Sequence, residues 1–181
     1  MIYIFLADGF EECEALVPLD ILRRAGLAVK TVGIGSKSIY GSHGIPVVCD
    51  ITEEEAEEKE LEAIILPGGM PGTVNLENNG TVQRFIDFAD RENIFICAVC
   101  AAPSILGHKG LLKGKKATCF PGFENDLAGA EFCDAPTVRD GSIITACGAG
   151  AAFEFGFEIL SAITGNTESA EKLRAAMKYS K

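Results

Sequence analysis

The run Ile94-Phe-Ile-Cys-Ala-Val-Cys100-Ala-Ala-Pro-Ser-Ile-Leu106 joins an apolar, strand-like segment to a helix with Pro103 near its start. Cys100 therefore lies at a turn from strand to helix. The free N–H groups and positive dipole end of the helix favour a thiolate there, and thiolate is the reactive form of cysteine. We interpret Cys100 as a nucleophile. The alternative is a buried cysteine that only packs as a small apolar side chain.

Outward from this run, β-rich apolar segments alternate with segments of helical period. This alternation is typical of an α/β fold with a mostly parallel central sheet. It predicts strands over residues 2–7, 28–34, 63–66, 94–99, 117–120 and 142–147. It predicts helices over residues 11–25, 82–91, 101–109, 152–164 and 168–178. Gly26 is expected to end the first helix, and residues 38–49 are expected to form a small hairpin.

The composition limits the classes of partner. The 181 residues are 48% hydrophobic and show one hydrophobic rhythm, which predicts a single domain over 1–181. A net charge of -10 disfavours nucleic acid and anionic membrane surfaces, since both attract cationic proteins. We find neither a basic leader nor an uninterrupted apolar run of about 18 residues. Together with seven cysteines, an odd number, these features predict a cytoplasmic protein.

Four loops at the carboxyl ends of predicted strands carry unusual residues: 8–14, 66–72, 99–103 and 147–151. Ligands of open parallel sheets bind at that edge, so we expect these loops to converge. In the second loop, Gly68 and Gly69 let backbone N–H groups approach an oxyanion, although an ordinary turn explains them too. The last loop, Gly148-Ala149-Gly150, resembles a dinucleotide fingerprint but lacks the acid that should follow. The sequence therefore predicts no cofactor, and its cysteines and histidines show no metal-ligand spacing.

A carboxylate is the best partner for the thiol. Glu14 falls on the inward face of the first helix and Glu12 on the outward face. Glu14 in an apolar pocket would hold a proton and pass it to a thiolate, but it could also act only on the helix dipole. His108 lies too far along its helix from Cys100, at about 12 Å. Cys97 points away if its strand is extended, which disfavours a redox dithiol.

These residues resemble the ThiJ/PfpI superfamily, and in particular its branch containing DJ-one, the parkinsonism-associated deglycase. Five motifs carry the resemblance in order: residues 8–14, 18–26, 66–69, 98–103 and 153–155. The resemblance implies a flavodoxin-like three-layer sandwich, one class I glutamine amidotransferase-like domain and a homodimer. It implies Cys100 and Glu14 as catalytic residues, with backbone donors at Gly68, Gly69 and Ala101. The substrate pocket it implies includes His43, Phe120, Gly148, Ala149 and Gly150.

The chain also departs from that superfamily. Ala101 replaces the histidine that follows the cysteine in the protease-like branch, which argues against a Cys-His peptidase. Phe120 stands where some DJ-one relatives carry histidine, and His43 where they carry arginine. Ala149 stands where relatives often have proline. Substrate contacts made by those side chains in relatives are therefore in doubt here.

The resemblance and the thiol together predict a glyoxalase or deglycase without a cofactor. Its substrates would be small reactive dicarbonyls such as methylglyoxal, or their early adducts, in carbonyl and oxidative stress. The alternative is a non-catalytic redox sensor or chaperone, switched when peroxide oxidises Cys100 to a sulfinic acid.

Overall fold

A seven-stranded sheet forms the centre of the computed structural model, which describes residues 1–179. The last two residues of the predicted 1–181 domain lie outside the described residues. The strands, numbered in chain order, are β1 (Ile2–Leu6), β2 (Val29–Gly33), β3 (Ser38–Tyr40), β4 (Pro46–Val48), β5 (Ile51–Thr52), β6 (Ala63–Leu66), β7 (Phe95–Val99), β8 (Lys116–Ala117), β9 (Glu131–Phe132), β10 (Thr137–Asp140) and β11 (Ile143–Ala146). The order in the sheet is β10-β11-β7-β6-β1-β2-β5, parallel throughout except for β10. The strands β1, β6 and β11 are buried along their whole length because helices cover both faces of the sheet.

The helices form two outer layers. They are α1 (Glu12–Arg24), α2 (Gly72–Glu77), α3 (Gly80–Arg91), α4 (Pro103–His108), α5 (Ala152–Thr164) and α6 (Thr167–Ala176). Side chains of α2, α3 and α4 share one apolar core with the sheet, and those of α1, α5 and α6 share the other. The predicted three-layer α/β sandwich is thus confirmed. Within residues 1–179, no helix has both the length and the apolar character needed to cross a bilayer.

Local sequence signals explain several element ends. Arg23 and Arg24 lie in the last turn of α1, and Gly26 follows with a φ of 77°, a conformation that glycine adopts without strain. Asn79 caps α3 by accepting a hydrogen bond from the Val82 amide at 2.9 Å. The predicted hairpin is confirmed, since β3 and β4 pair antiparallel.

The predicted strand over 117–120 is wrong. Only Ala117, with Lys116 before it, pairs in a ladder, with β9. The next amides bond elsewhere: Thr118 N–H donates to Thr145 Oγ1 at 2.9 Å, and Phe120 N–H donates to the Cys100 carbonyl at 2.8 Å. Because these bonds lead away from the small ladder, the segment runs to the carboxyl end of β7. Four short elements lie outside the predicted ones: the helix α2 and the strands β5, β9 and β10.

Candidate active site

The four loops meet at one edge of the sheet. Their strands, β11, β7, β6 and β1, are consecutive neighbours and run parallel. The carboxyl ends of these strands therefore lie side by side, as the sequence predicts.

Cys100 occupies a strained elbow between β7 and α4. Its φ is 64°, a left-handed conformation that is uncommon for a residue with a side chain. Its N–H donates to the Ala146 carbonyl of β11 at 2.9 Å, and its carbonyl accepts from the Phe120 N–H at 2.8 Å. These bonds hold the residue in place, and the side chain is half-buried. The elbow presents the sulfur at the edge of the sheet rather than in the core.

Glu14 projects from the first turn of α1 beneath this sulfur. It is 1% exposed, and its Oε2 accepts a hydrogen bond from the Gly68 N–H at 2.8 Å. A Cβ built on Gly68 would lie 2.6 Å from the Cys100 Cβ and 2.7 Å from the Glu14 Oε2. Only glycine fits between the two groups. The Gly68 N–H is occupied by the carboxyl group, so Gly68 does not serve as the oxyanion donor that the sequence predicts.

Gly69 and Ala101 direct their N–H groups at the Cys100 sulfur, where both act to lower its pKa. Gly69 has a φ of 87°, and a Cβ there would lie 2.4 Å from the Glu11 nitrogen. The loop is therefore packed too closely for a larger residue. Two N–H groups converging on one sulfur can also bind an oxyanion that forms beside it.

Glu14 and Cys100 influence each other's protonation. Burial raises the pKa of Glu14 to about 7, against the opposing hydrogen bonds of the Cys100 thiol and the Gly68 amide. Burial, and after it the neighbouring Glu14 carboxylate, raise the pKa of the Cys100 thiol to about 12. Between these two values the pair carries one negative charge.

The expected effect of the backbone N–H groups on the thiol is present but is not the dominant one. The amides of Ala101 and Gly69 do favour the thiolate, but burial and the Glu14 charge outweigh them. When Glu14 takes up the proton, its repulsion of the sulfur disappears and its carboxyl group can donate a hydrogen bond to the thiolate. The reactive state is therefore a property of the pair rather than of the helix end.

Phe120 and Gly148 lie together beside this pair. A Cβ on Gly148 would be 3.2 Å from Cδ2 of the Phe120 ring and 4.0 Å from the Glu14 Oε1. Gly148 is buried, whereas Ala149 and Gly150 are exposed and form a rim. Of the residues predicted to line the pocket, the structure thus places Phe120 and Gly148 next to the carboxyl group.

His43 has different neighbours from those expected of a pocket residue. It lies in the turn between β3 and β4, where its ring Nδ1 is 2.9 Å from the Glu12 Oε2 and 3.4 Å from the Glu11 Oε2. Its backbone N–H also donates to Glu12, at 2.9 Å. The hydrogen bonds of the ring are to Glu12 and Ser42 rather than to Cys100 or Glu14.

The expectation that Glu12 faces outward is wrong, because the hairpin covers it and leaves it 5% exposed. Burial acts to raise the pKa of Glu12, but the His43 ring and backbone N–H groups of Glu12, His43 and Ile45 outweigh it and lower the pKa to about 2. Gly41 permits this contact, since a Cβ there would lie inside the Glu12 side chain. Sequence reasoning does not find that Glu12 anchors the hairpin. The available signal was that neither the Glu12 carboxylate nor the His43 ring has another partner in the sequence analysis.

The contact of His43 with Glu12 predicts a measurable shift. We expect the pKa of His43 to lie above its usual value, because the ring is hydrogen-bonded to Glu12 and lies close to the Glu11 charge. Glu12→Gln removes one charge, so the pKa of His43 should fall towards that usual value. NMR titration of the two imidazole rings measures this. His108, whose pKa is raised by its bond to Glu77, should not change and is the internal control. An unchanged His43 would contradict the contact.

The remaining thiols and histidine fit structural roles. Cys97 is fully buried in β7, where burial raises its pKa strongly, and all seven cysteines are free. His108 ends α4, with its Nδ1 2.6 Å from the Glu77 Oε1. Among residues 1–179, Glu11, Glu12 and His43 alone bring three ligand atoms within 4.8 Å. Glu12 already accepts backbone hydrogen bonds, which account for this cluster without a metal.

Known proteins are similar to this chain in sequence and in fold. The profile of the DJ-1/PfpI family matches residues 1–162. The Parkinson disease protein 7 homolog of Danio rerio is 30% identical over 179 residues, 96% of this chain and 94% of that protein. Deglycase TK1284 of Thermococcus kodakarensis is 33% identical over 147 residues, 80% of this chain and 87% of that protein.

A solved structure agrees over the whole length. The crystal structure of the DJ-1 superfamily protein STM1931 from Salmonella typhimurium matches with a TM-score of 0.94 at 34% identity, covering 99% of this chain and 98% of that chain. The similarity to known proteins therefore covers the complete sandwich and not only single motifs. With its flavodoxin-like fold, the chain belongs to the DJ-1/PfpI family.

Proposed function

We propose that the protein is a cysteine-dependent glyoxalase or deglycase that acts on methylglyoxal-type dicarbonyls or their early adducts. The observation that carries this proposal is the half-buried Cys100 thiol held against the buried Glu14 carboxyl group, with two N–H groups directed at the sulfur. A relative named as a deglycase supports it. This arrangement combines a nucleophile, a proton carrier and oxyanion donors within one small site.

The first step forms a carbon–sulfur bond. Glu14 takes the thiol proton, and the Cys100 thiolate attacks the aldehyde carbon. The carbonyl electron pair moves to oxygen, where the N–H groups of Gly69 and Ala101 stabilise the negative charge. Glu14 then returns the proton to this oxygen, which gives a hemithioacetal.

The later steps move two further protons and release the product. The Glu14 carboxylate removes the proton from the former aldehyde carbon, and the neighbouring carbonyl oxygen is protonated, which gives an enediol. The enediol takes a proton at the neighbouring carbon while the hydroxyl group on the former aldehyde carbon loses its proton and becomes a carbonyl. The result is a 2-hydroxyacyl thioester of Cys100. Water cleaves the carbon–sulfur bond, which releases a 2-hydroxy acid and restores the thiol. Water is the one co-reactant, so the proposal requires no cofactor.

The second candidate is a redox sensor or chaperone. Peroxide would oxidise the Cys100 thiolate to a sulfenic acid with release of water, and a second peroxide would give the sulfinic acid. Cys100 is accessible enough for this reaction, and a protonated Glu14 could donate a hydrogen bond to the sulfinate. This observation keeps the sensor as an alternative.

Turnover separates the two functions. We would follow methylglyoxal consumption and hydroxy-acid formation by the wild-type protein, together with its mass after mild peroxide. Many equivalents of product for each protein molecule would support the enzyme. Loss of no more than one equivalent, with clean addition of two oxygen atoms at Cys100, would exclude catalysis and leave the sensor.

We also propose that two copies meet through an apolar face beside the hairpin. Its residues lie on α1, the β3–β4 turn, α5 and the chain after α6: Cys13, Leu16, Val17, Ile45, Phe153 and Met177. Ile45 is 51% exposed and Phe153 36% exposed, which is unfavourable for large apolar side chains in water. The seven free thiols support a reducing compartment such as the cytoplasm.

Val17→Glu tests this interface. A charge in the middle of the face should convert a dimer to a monomer, because a buried unpaired carboxylate is strongly unfavourable. Light scattering after size exclusion gives the mass directly. Val74→Glu, on α2 in the other helix layer and 41% exposed, is the control and should remain dimeric. A wild-type protein that is monomeric at all concentrations would contradict the proposal.

A further inference from the structure

The ring of Phe120 stands 47% exposed next to the reactive pair. The backbone that carries this ring is anchored at two points. Its own N–H donates to the Cys100 carbonyl at 2.8 Å, and the Thr118 N–H before it donates to the Thr145 Oγ1 at 2.9 Å. The exposed ring is therefore held in a fixed place relative to the thiol.

Gly148 sets the direction of the ring. A Cβ at Gly148 would lie 3.2 Å from Cδ2 of Phe120, so the absence of a side chain lets the ring lie close to the backbone. The same position is 4.0 Å from the Glu14 Oε1. Phe120, Gly148 and the carboxyl group therefore follow one another along one wall, which ends at the sulfur of Cys100.

The charges that act on the two thiols of this wall are those of carboxylates. Cys119 precedes Phe120 and Cys147 precedes Gly148; burial raises the pKa of both thiols, and nearby carboxylates raise it further. These carboxylates belong to Glu14, Glu124, Asp126, Asp134 and Glu154. A negative surrounding repels anionic ligands and leaves neutral ones unaffected. An aromatic wall in an acidic surrounding thus suits an uncharged molecule with an apolar end.

We propose that Phe120 selects neutral 2-oxoaldehydes with an apolar, above all aryl, substituent, and that the acidic surroundings reject anionic 2-oxo acids. The proposal rests on the proposed function and names its substrate class. The aldehyde carbon lies at Cys100, and the substituent packs on the exposed ring of Phe120. Stacking of two rings adds to the stabilisation from burial alone.

Steady-state kinetics with phenylglyoxal and methylglyoxal test the selection. In the wild-type protein we expect kcat/KM to be about tenfold higher for phenylglyoxal, chiefly through KM. Phe120→Ala should remove this preference, because kcat/KM should fall about tenfold more for phenylglyoxal than for methylglyoxal. Phe120→Leu should restore part of it. Phe132→Ala, at a ring of similar exposure on β9, is the matched control and should keep the wild-type ratio. A ratio that Phe120→Ala does not change would overturn the proposal.

Alkylation of Cys100 tests the proposed substrate preference without requiring turnover. The rate of Cys100 modification is measured by peptide mass spectrometry for each reagent. It is divided by the rate at which 2-mercaptoethanol reacts with the same reagent, which corrects for the reactivity of the reagent itself. Phenacyl bromide should be favoured over bromoacetone in the wild-type protein but not in Phe120→Ala. Iodoacetamide should be favoured over iodoacetate by about fivefold, because the carboxylate is repelled. Absence of turnover with both preferences intact would reject the proposed function alone. Equal labelling rates within each pair would overturn the selection.

Discussion

Replacing Cys100 by serine is expected to lower kcat/KM for methylglyoxal by at least about a thousandfold. The serine hydroxyl is almost the same shape as the thiol, so it should fit the elbow and keep the bonds of the backbone to Ala146 and Phe120. A hydroxyl group, however, does not ionise near neutral pH. Glu14 could not remove its proton to a useful extent, and the carbon–sulfur bond of the first step would have no equivalent.

The control for this variant is Cys133→Ser. Cys133 follows β9, is half-exposed, and its thiol lies against the Glu131 carbonyl rather than at the site. Activity within about twofold of wild type is expected there, as for most surface substitutions. Circular dichroism and the urea midpoint should confirm that both variants are folded. A Cys100→Ser protein that kept more than about a tenth of wild-type activity would contradict the assignment of the nucleophile.

The parts of the site that could be predicted from sequence are those set by short-range structure. The elbow at Cys100 follows from an apolar strand, a cysteine and Pro103 within one run. The inward direction of Glu14 follows from its place on the α1 helix. Both Gly68 and Gly69 were identified because glycines after a buried strand suggest close approach of backbone. At Gly68, the groups that come close to the backbone are the side chains of Glu14 and Cys100.

The parts that could not be predicted depend on partners distant in sequence. The predicted strand over 117–120 fails because the amide of Thr118 bonds to Thr145 and that of Phe120 to Cys100. The helical wheel points Glu12 outward, since it contains no information about a hairpin about thirty residues away. The raised pKa of the thiol could not be predicted for the same reason, because burial and the charge of Glu14 arise only in the folded protein.

Glu14→Gln is expected to lower kcat/KM by about a hundredfold or more, since it removes the group that takes up and returns protons in the mechanism. In the wild-type protein kcat/KM should rise with pH through about 7, the pKa of Glu14, because below it both partners are protonated and the thiol is unreactive. In the variant this rise of kcat/KM near pH 7 should disappear, and any residual rate should follow the ionisation of Cys100 alone. If kcat/KM of Glu14→Gln still rose with pH near 7, a group other than Glu14 would be responsible for the rise.

Glu14→Gln, which lowers activity, should increase the free energy of unfolding at high pH. The pKa of Glu14 rises from 4.5 in the unfolded chain to about 7 in the folded protein, so protons bind the folded state more tightly. The stability that this group contributes is complete below its unfolded pKa and is lost as pH rises through its folded pKa. The loss amounts to about 3 kcal/mol. Glutamine cannot ionise, and its side-chain oxygen can still accept the hydrogen bond of the Gly68 N–H.

Urea unfolding at about pH 5 and about pH 8 measures this effect. Glu14→Gln should unfold at a slightly higher urea concentration than wild type at the lower pH and at a much higher concentration at the upper pH. Glu12→Gln is the matched control on the same helix. Its carboxylate has a pKa lowered to about 2, so it stabilises the fold at both pH values, and its loss should destabilise the protein at both, more strongly at the lower pH, where the carboxylate contacts a protonated His43. If Glu14→Gln instead lost stability at the upper pH, the carboxylate would be favourable in its pocket. The raised pKa, and the shared proton on which the mechanism depends, would then be wrong.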